Sequence, residues 1–173
     1  MGRISGGTIG WPHSCKAAVP IRVDGTGQVL LGENVILGFR PAPLIGTGEI
    51  LLQSRGQGAL IRIGARTATS NNVAIVAMKS ITIGDDCQIG DLVTIYDCDF
   101  HEIDPATRNR SAGQILPVNI GNNVWLGSRV MILKGVSLGD NTVVAAGSVV
   151  TKSFPSNVVV AGVPAAIVKR IEG

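Results

Sequence analysis

The sequence predicts an all-β fold, a parallel β-helix of about seven three-sided coils, and three observations point to it. Ile120, Leu126, Ile132, Leu138, Val144 and Val150 recur six residues apart without a break. Two positions before each stands another compact residue: Val118, Val124, Val130, Val136, Thr142 and Ser148. The chain of 173 residues carries 23 glycines but only two Trp, one Tyr and three Phe. A period of six fits neither a 3.6-residue helix nor a plain alternating strand; it fits a short strand plus a corner, repeated along a coiled chain. Both members of each pair point inward, while Gly or Asn-type residues such as Asn122, Asn123, Asp140 and Asn141 turn the corners. Three sides make one turn of about 18 residues, and each coil buries its inner face by parallel pairing with its neighbours. A prism this narrow admits aliphatic side chains and excludes most rings, which accounts for the composition.

The elements follow in order. Residues 1–20, with Trp11-Pro12-His13, show no register and read as a cap on the first coil. The β-helix is expected over residues 21–163. Its beginning is weak, at Leu31-Gly32 and Leu37-Gly38 and again at Ile45 and Leu51. A firm register runs through Ile63, Thr69 and Ile75, then shifts by two to Ile83, Ile89 and Ile95; Ile61, Thr67, Val73, Ile81, Cys87 and Val93 are the inner companions. That register calls for an aliphatic residue at 101 and a small apolar one at 99, where the sequence has His101 and Asp99. Residues 102–117 carry no six-fold pattern and read as a loop extruded from the prism. Seven coils spaced by about 4.8 Å give roughly 35 Å of prism. In residues 164–173 helix formers follow Pro164, a residue suited to a first helical position, so a short helix is expected to cover the open sheet edge of the last coil.

Composition narrows the function. A net charge of +3 without a basic stripe interleaved with aromatics is too small for a nucleic-acid footprint. No window reaches the roughly 18 apolar residues of a membrane span, and the Gly-rich start lacks a basic segment followed by an apolar run, so a cytoplasmic location is expected. Three scattered cysteines, Cys15, Cys87 and Cys98, make no disulfide framework. The break at 96–102 (Tyr96-Asp97-Cys98-Asp99-Phe100-His101-Glu102) places ionisable groups where the coil wants methyl groups. Local rules tend to fail at functional sites, and long loops in compact domains are often functional. A histidine takes a proton from a hydroxyl or amine near neutral pH, and Asp97, Asp99 and Glu102 are the carboxylates placed to fix its tautomer. The bland alternative is that His101 only caps the loop by hydrogen bonding.

The motifs Ile120-Gly-Asn-Asn-Val-Trp-Leu-Gly127, Ala145-Ala-Gly-Ser-Val-Val-Thr-Lys152 and Val160-Ala-Gly-Val-Pro-Ala165 resemble the hexapeptide-repeat acetyltransferases, nearest the galactoside, maltose and colanic-acid-type polysaccharide branch. The resemblance covers about residues 61–170. It implies a left-handed parallel β-helix, whereas the general rule for parallel crossovers favours the right hand. It also implies acetyl-CoA as co-substrate and His101 as general base. The acceptor residues carried over are Asn71 and Trp125, and Asp99, in the break two residues before the histidine, is expected to bind the acceptor with them. Trp125, Ser128, Ala146, Thr151 and Lys152 match positions that contact CoA. Galactoside-type members carry an arginine where this chain has Ala166, so Lys169 and Arg170 are the nearest cations for the adenosine phosphate. The family's trimers place active sites between prisms, and a homotrimer is expected here. No metal is expected: β-helix relatives of the γ-carbonic-anhydrase type need three histidines, and this chain has His13 and His101 only.

The mechanism implied is direct transfer in a ternary complex: His101 removes the proton of a sugar hydroxyl, which attacks the thioester. Cys87 falls at an inward position and reads as core; Cys98 lacks an activating base of its own. N-acetylation of an amino sugar is the alternative within the enzyme class. A non-catalytic β-helix scaffold is the alternative outside it, and it leaves His101 and its loop without a purpose.

Overall fold

The computed structural model describes residues 3–5, 8–42 and 48–172, and it is a left-handed parallel β-helix of seven coils. No helix occurs among the described residues, and so none long and apolar enough to cross a membrane. Each coil crosses three faces in turn. Face 1 holds seven strands from Arg3–Ser5 to Val149–Val150, all parallel. Face 2 runs from Thr8–Gly10 to Ser137–Leu138 and is continued by a parallel bridge between Leu138 and Phe154. Face 3 runs from Lys16–Ala17 to Val158–Gly162. In the later coils the pairing is between residues 18 apart, Ile120 with Leu138 and Ile132 with Val150.

Both members of every six-residue pair named above point inward and are buried, from Ile61 and Ile63 to Ser148 and Val150. Thr67, Thr142 and Ser148 are tolerated inside because their hydroxyls reach backbone groups: Thr142 Oγ1 donates to the Gly139 carbonyl at 2.7 Å, and Ser148 Oγ accepts from Gly162 N at 3.1 Å. Phe154 is the one ring in the core cluster of the described residues. The weak beginning resolves differently from the expectation. Leu52, not Leu51, points inward beside Ile50, and Ile45 lies outside the described residues.

The corners between faces 2 and 3 stack residues with left-handed backbone: Asn34, Arg66, Asp86, Asn123, Asn141 and Asn157 all have φ between 52° and 60°. Asparagine tolerates this conformation, and here it also ties coils together. Asn123 Nδ2 donates to Asn141 Oδ1 and Asn141 Nδ2 to Asn157 Oδ1, each at 2.8 Å. One residue along, Asp140 Oδ1 accepts from Asn122 N at 2.6 Å, and Asn122 Oδ1 accepts from Asp85 N at 2.9 Å. The Asx residues expected at the corners thus turn the chain and cross-link it.

Two ends differ from expectation. Residues 3–5 and 8–17 do not form a separate cap; their strands pair with the second coil on all three faces and make the first coil. Residues 165–170 are not a helix. Ala165–Arg170 is a strand paired antiparallel with Val158–Gly162, following a turn at Gly162, whose φ is 104°. The open edge of Val158–Gly162 offers a ladder of unpaired backbone groups, and Ile167 and Val168 are β-branched, so edge pairing overrides helix propensity. The strand covers the open edge of face 3 alone; faces 1 and 2 of the last coil end at Val149–Val150 and Phe154.

Candidate functional site

The edge between faces 1 and 2 is where the coils widen. The two-residue shift between Ile75 and Ile83 is an insertion of Met78 and Lys79 at this edge. Asp97, fully buried, holds it: Oδ1 accepts from Met78 N at 2.7 Å, and Oδ2 accepts from Lys79 N at 2.7 Å and Ser80 N at 2.8 Å. The excursion leaves the prism at this carboxylate. It departs earlier than residue 102, because Leu116 N donates to the Asp97 carbonyl and Asp99 N to the Gln114 carbonyl, zipping its two legs antiparallel. His101 therefore stands on the excursion, just beyond its zipped base.

None of the three carboxylates orients His101. Its Nδ1 lies 3.2 Å from the Arg108 carbonyl oxygen. A carbonyl only accepts, so Nδ1 donates in this contact, and in the neutral tautomer that fits it Nε2 keeps its lone pair on an exposed ring. Asp97 is spent on the corner, Glu102 Oε1 accepts from Ser111 Oγ at 2.9 Å, and Asp99 pairs with Lys134 at 2.6 Å. Gly113, with φ 68°, closes the loop against His101: a Cβ there would lie 2.4 Å from the His101 carbonyl oxygen. Beside the histidine, the Phe100 ring packs edge-on to Tyr96 with centroids 5.2 Å apart. Arg55 places its guanidinium 4.8 Å from the centre of the Phe100 ring.

A second group of expected residues lies elsewhere. Trp125, 57% exposed, stands on the outer surface of face 3 beside a groove of about 300 Å³ that Ile36, Phe39, Ala68, Ser70 and Gln88 also line. Strand register puts Trp125, Val143, Val159 and Lys169 in one column, so Lys169 is three strands, or about 14 Å, along the face from the indole. Ser128 and Ala146 occupy corners between faces 3 and 1, and the Ser128 hydroxyl donates a short hydrogen bond to Asp91 Oδ1. Asn71 lies at the same edge, fully buried. Its Oδ1 accepts from Phe39 N at 2.9 Å, and its Nδ2 is a buried donor without a partner.

The expected site residues thus divide between separate edges. His101, Asp99, Thr151 and Lys152 belong to the edge between faces 1 and 2; Asn71, Ser128 and Ala146 to that between faces 3 and 1; Trp125, Lys169 and Arg170 to face 3. Face 3 does not border the histidine's edge, so one prism does not bring His101 and Trp125 into one cleft. Lys134, Phe39 and Asp91 were not expected as parts of the site, and Asp97, expected as a carboxylate that orients the histidine, braces the corner instead. Phe39 alone left a signal, a rare aromatic directly after the Leu37-Gly38 repeat.

The three thiols are free and buried. Burial pushes the Cys98 thiol up from its ordinary value, and likewise that of Cys87. Both are therefore poor nucleophiles at neutral pH. Among the described residues no cluster of three His, Cys, Asp or Glu side chains is arranged to hold a metal ion.

Comparison with known proteins bears on these features. The family model described as "Hexapeptide repeat of succinyl-transferase" matches residues 117–152. Galactoside O-acetyltransferase of Escherichia coli K12 is 42% identical over 114 residues, covering 66% of this chain and 56% of the relative. The putative lipopolysaccharide biosynthesis O-acetyl transferase WbbJ of the same strain is 34% identical over 163 residues, covering 87% of this chain and 76% of the relative. A solved galactoside acetyltransferase in complex with coenzyme A superposes with a TM-score of 0.61 at 42% identity, covering 65% of this chain and 56% of that one. The chain spans somewhat over half the length of the curated relatives it matches first. The stacked six-residue pairs and the likeness to WbbJ over most of both chains agree, and the chain belongs to the hexapeptide-repeat acetyltransferase family.

Proposed function

We propose that the protein is an acetyl-CoA-dependent O-acetyltransferase that modifies a hydroxyl of a sugar or polysaccharide precursor. The observation that carries this is His101: an exposed imidazole whose Nδ1 proton is committed to the Arg108 carbonyl, leaving Nε2 as a base. Nε2 takes the acceptor hydroxyl proton as the oxygen attacks the acetyl carbonyl. The tetrahedral oxyanion, met by a corner backbone N–H, then expels the CoA thiolate, which recovers the proton from the imidazolium. Atoms balance without an acyl-enzyme, in keeping with thiols held protonated by burial.

The separation of His101 from Trp125 supports a homotrimer in which the histidine edge of one chain faces the third face of the next. In that arrangement Trp125 walls the cleft for acceptor and pantetheine arm, Ser128 and Ala146 border it, and Thr151 and Lys152 approach from the histidine's chain. Lys169 and Arg170, farther along the face, meet the phosphates. The fit is tested by two features of the chain: an exposed indole beside an open groove, and an exposed cation in its column about 14 Å away. Asn71, fully buried, acts on the acceptor through Phe39, whose N–H its Oδ1 holds beside the groove. Asp99, already paired with Lys134, reaches the acceptor only as part of that ion pair. The cytoplasm, which supplies acetyl-CoA and keeps thiols reduced, is the compartment that suits this reading.

The test is turnover of acetyl-CoA against a panel of sugars and amino sugars. His101→Ala lowers kcat by about 10²–10⁴-fold and leaves CoA binding intact. Undiminished turnover in that variant contradicts the mechanism, and preference for amino sugars contradicts O-transfer.

A further inference from the structure

Among the described residues, the edge that carries His101 is also the most cationic of the three edges. Successive coils place Arg55, Lys79, Lys134 and Lys152 there, with the histidine loop in the middle. Lys134 is neutralised by Asp99. Lys152, in the last coil, is on the side assigned above to CoA. Arg55 and Lys79 lie on the opposite side of the loop, in the third and fourth coils, where the CoA reading gives them no task.

Arg55 is exposed but held. Its backbone N donates to the Ala77 carbonyl at 2.8 Å, its Nε donates to Gln53 Oε1 at 2.7 Å, and its guanidinium lies over Phe100, the residue before His101. A guanidinium on a ring face with Nε engaged keeps its terminal nitrogens as a fork, the geometry suited to a carboxylate or phosphate. Among the described residues neither Arg55 nor Lys79 forms an ion pair with a carboxylate. The acids near this edge are otherwise engaged: Asp97 with three backbone N–H groups, Asp99 with Lys134, Glu102 with Ser111, and Asp24, linked to Arg55 through Gln53, with Gln53 Nε2 and Gly25 N. The Lys79 backbone is fixed by Asp97, so its side chain starts from a rigid corner.

We propose that the acceptor is an acidic saccharide whose carboxylate or phosphate is bound by Arg55, with Lys79 as its second cation, while the hydroxyl to be acetylated faces His101. This deepens the acetyltransferase reading and rests on it. The surplus positive charge beside the base gives an anionic sugar both orientation and a faster approach that salt weakens.

The test compares three matched acceptors: a methyl hexoside, the corresponding uronic acid and the corresponding 6-phosphate. Each is measured for kcat/KM with acetyl-CoA and, without acetyl-CoA, for binding by titration calorimetry. The parent protein favours at least one acidic member over the neutral one, chiefly in KM, and the advantage shrinks as salt is raised. Arg55→Gln lowers kcat/KM for that acid by about 10- to 100-fold, while the KM for acetyl-CoA is unchanged. Arg55→Lys and Lys79→Gln lie between, which separates charge recognition from a folding defect. A preference for the carboxylate over the phosphate, or the reverse, identifies the group. Equal use of neutral and acidic sugars by parent and Arg55→Gln overturns this inference and leaves the acetyltransferase standing. Absence of transfer to all three, with acid binding that Arg55→Gln abolishes, overturns the transferase and upholds the anion site; absence of both overturns the two together.

Discussion

Asp97 offers the sharpest test of how the prism supports the candidate site. Its carboxylate accepts three backbone hydrogen bonds, at 2.7, 2.7 and 2.8 Å, from the widened corner of the preceding coil. Asp97→Ala leaves three donors unpaired, each costing about 1–3 kcal/mol, and water entering the part-buried corner recovers some of that. The expected loss is therefore about 3–6 kcal/mol. Asp97→Asn separates charge from geometry. An amide oxygen in the Oδ2 position keeps the bonds from Lys79 and Ser80, while the NH2 group faces the Met78 N–H donor to donor. That single lost bond and its repulsion cost about 1.5–3 kcal/mol. For a chain of this size the asparagine variant melts roughly 3–12 °C lower. Urea unfolding followed by circular dichroism, at one protein concentration because assembly contributes to stability, reads both values. An asparagine variant within about 0.5 kcal/mol of the parent refutes the reasoning, since surface substitutions without a structural role fall in that range.

Two further outcomes follow from the same geometry. Gly113→Ala places a Cβ against the His101 carbonyl in a backbone conformation that alanine disfavours, so the loop shifts; kcat falls by about 100-fold with little change in CoA affinity, measured by steady-state kinetics and titration. Cys98→Ser retains turnover. In the parent, alkylation of Cys98 needs the thiolate and grows only as pH rises past its raised pKa, above the range of a free cysteine, as iodoacetamide labelling against pH will show.

Much of the fold was legible because the narrow interior imposes one rule at every corner. Where a coil obeys it, as from Val118 to Val150, sequence and burial coincide residue by residue. Where an element answers to its neighbours, the pattern is silent. Ala165–Arg170 takes its conformation from the free edge of Val158–Gly162, and the first coil fills inner positions with Cys15 and Ile9 instead of a regular series. The break at residues 97–101 marked the candidate site, yet the carboxylates there looked interchangeable. Only the fold shows that Asp97 braces a corner whose insertion was already visible as the shift between Ile75 and Ile83. The partner of His101 is a backbone carbonyl, which side-chain identity does not reveal. The Arg55–Phe100 contact joins residues from different coils, so spacing gives no hint of it.

In the proposed trimer each site is shared between chains, with His101 and Trp125 supplied by different copies. Chains carrying His101→Ala and chains carrying Trp125→Ala, each nearly inactive alone, test it when unfolded together, refolded as a mixture and assayed for acetyl transfer. Random assembly gives an intact histidine edge facing an intact third face in about one site in four, so about a quarter of parental activity is expected to return. Activity in the mixture no greater than the average of the two variants contradicts it, because a site built within one chain has no intact copy to recover.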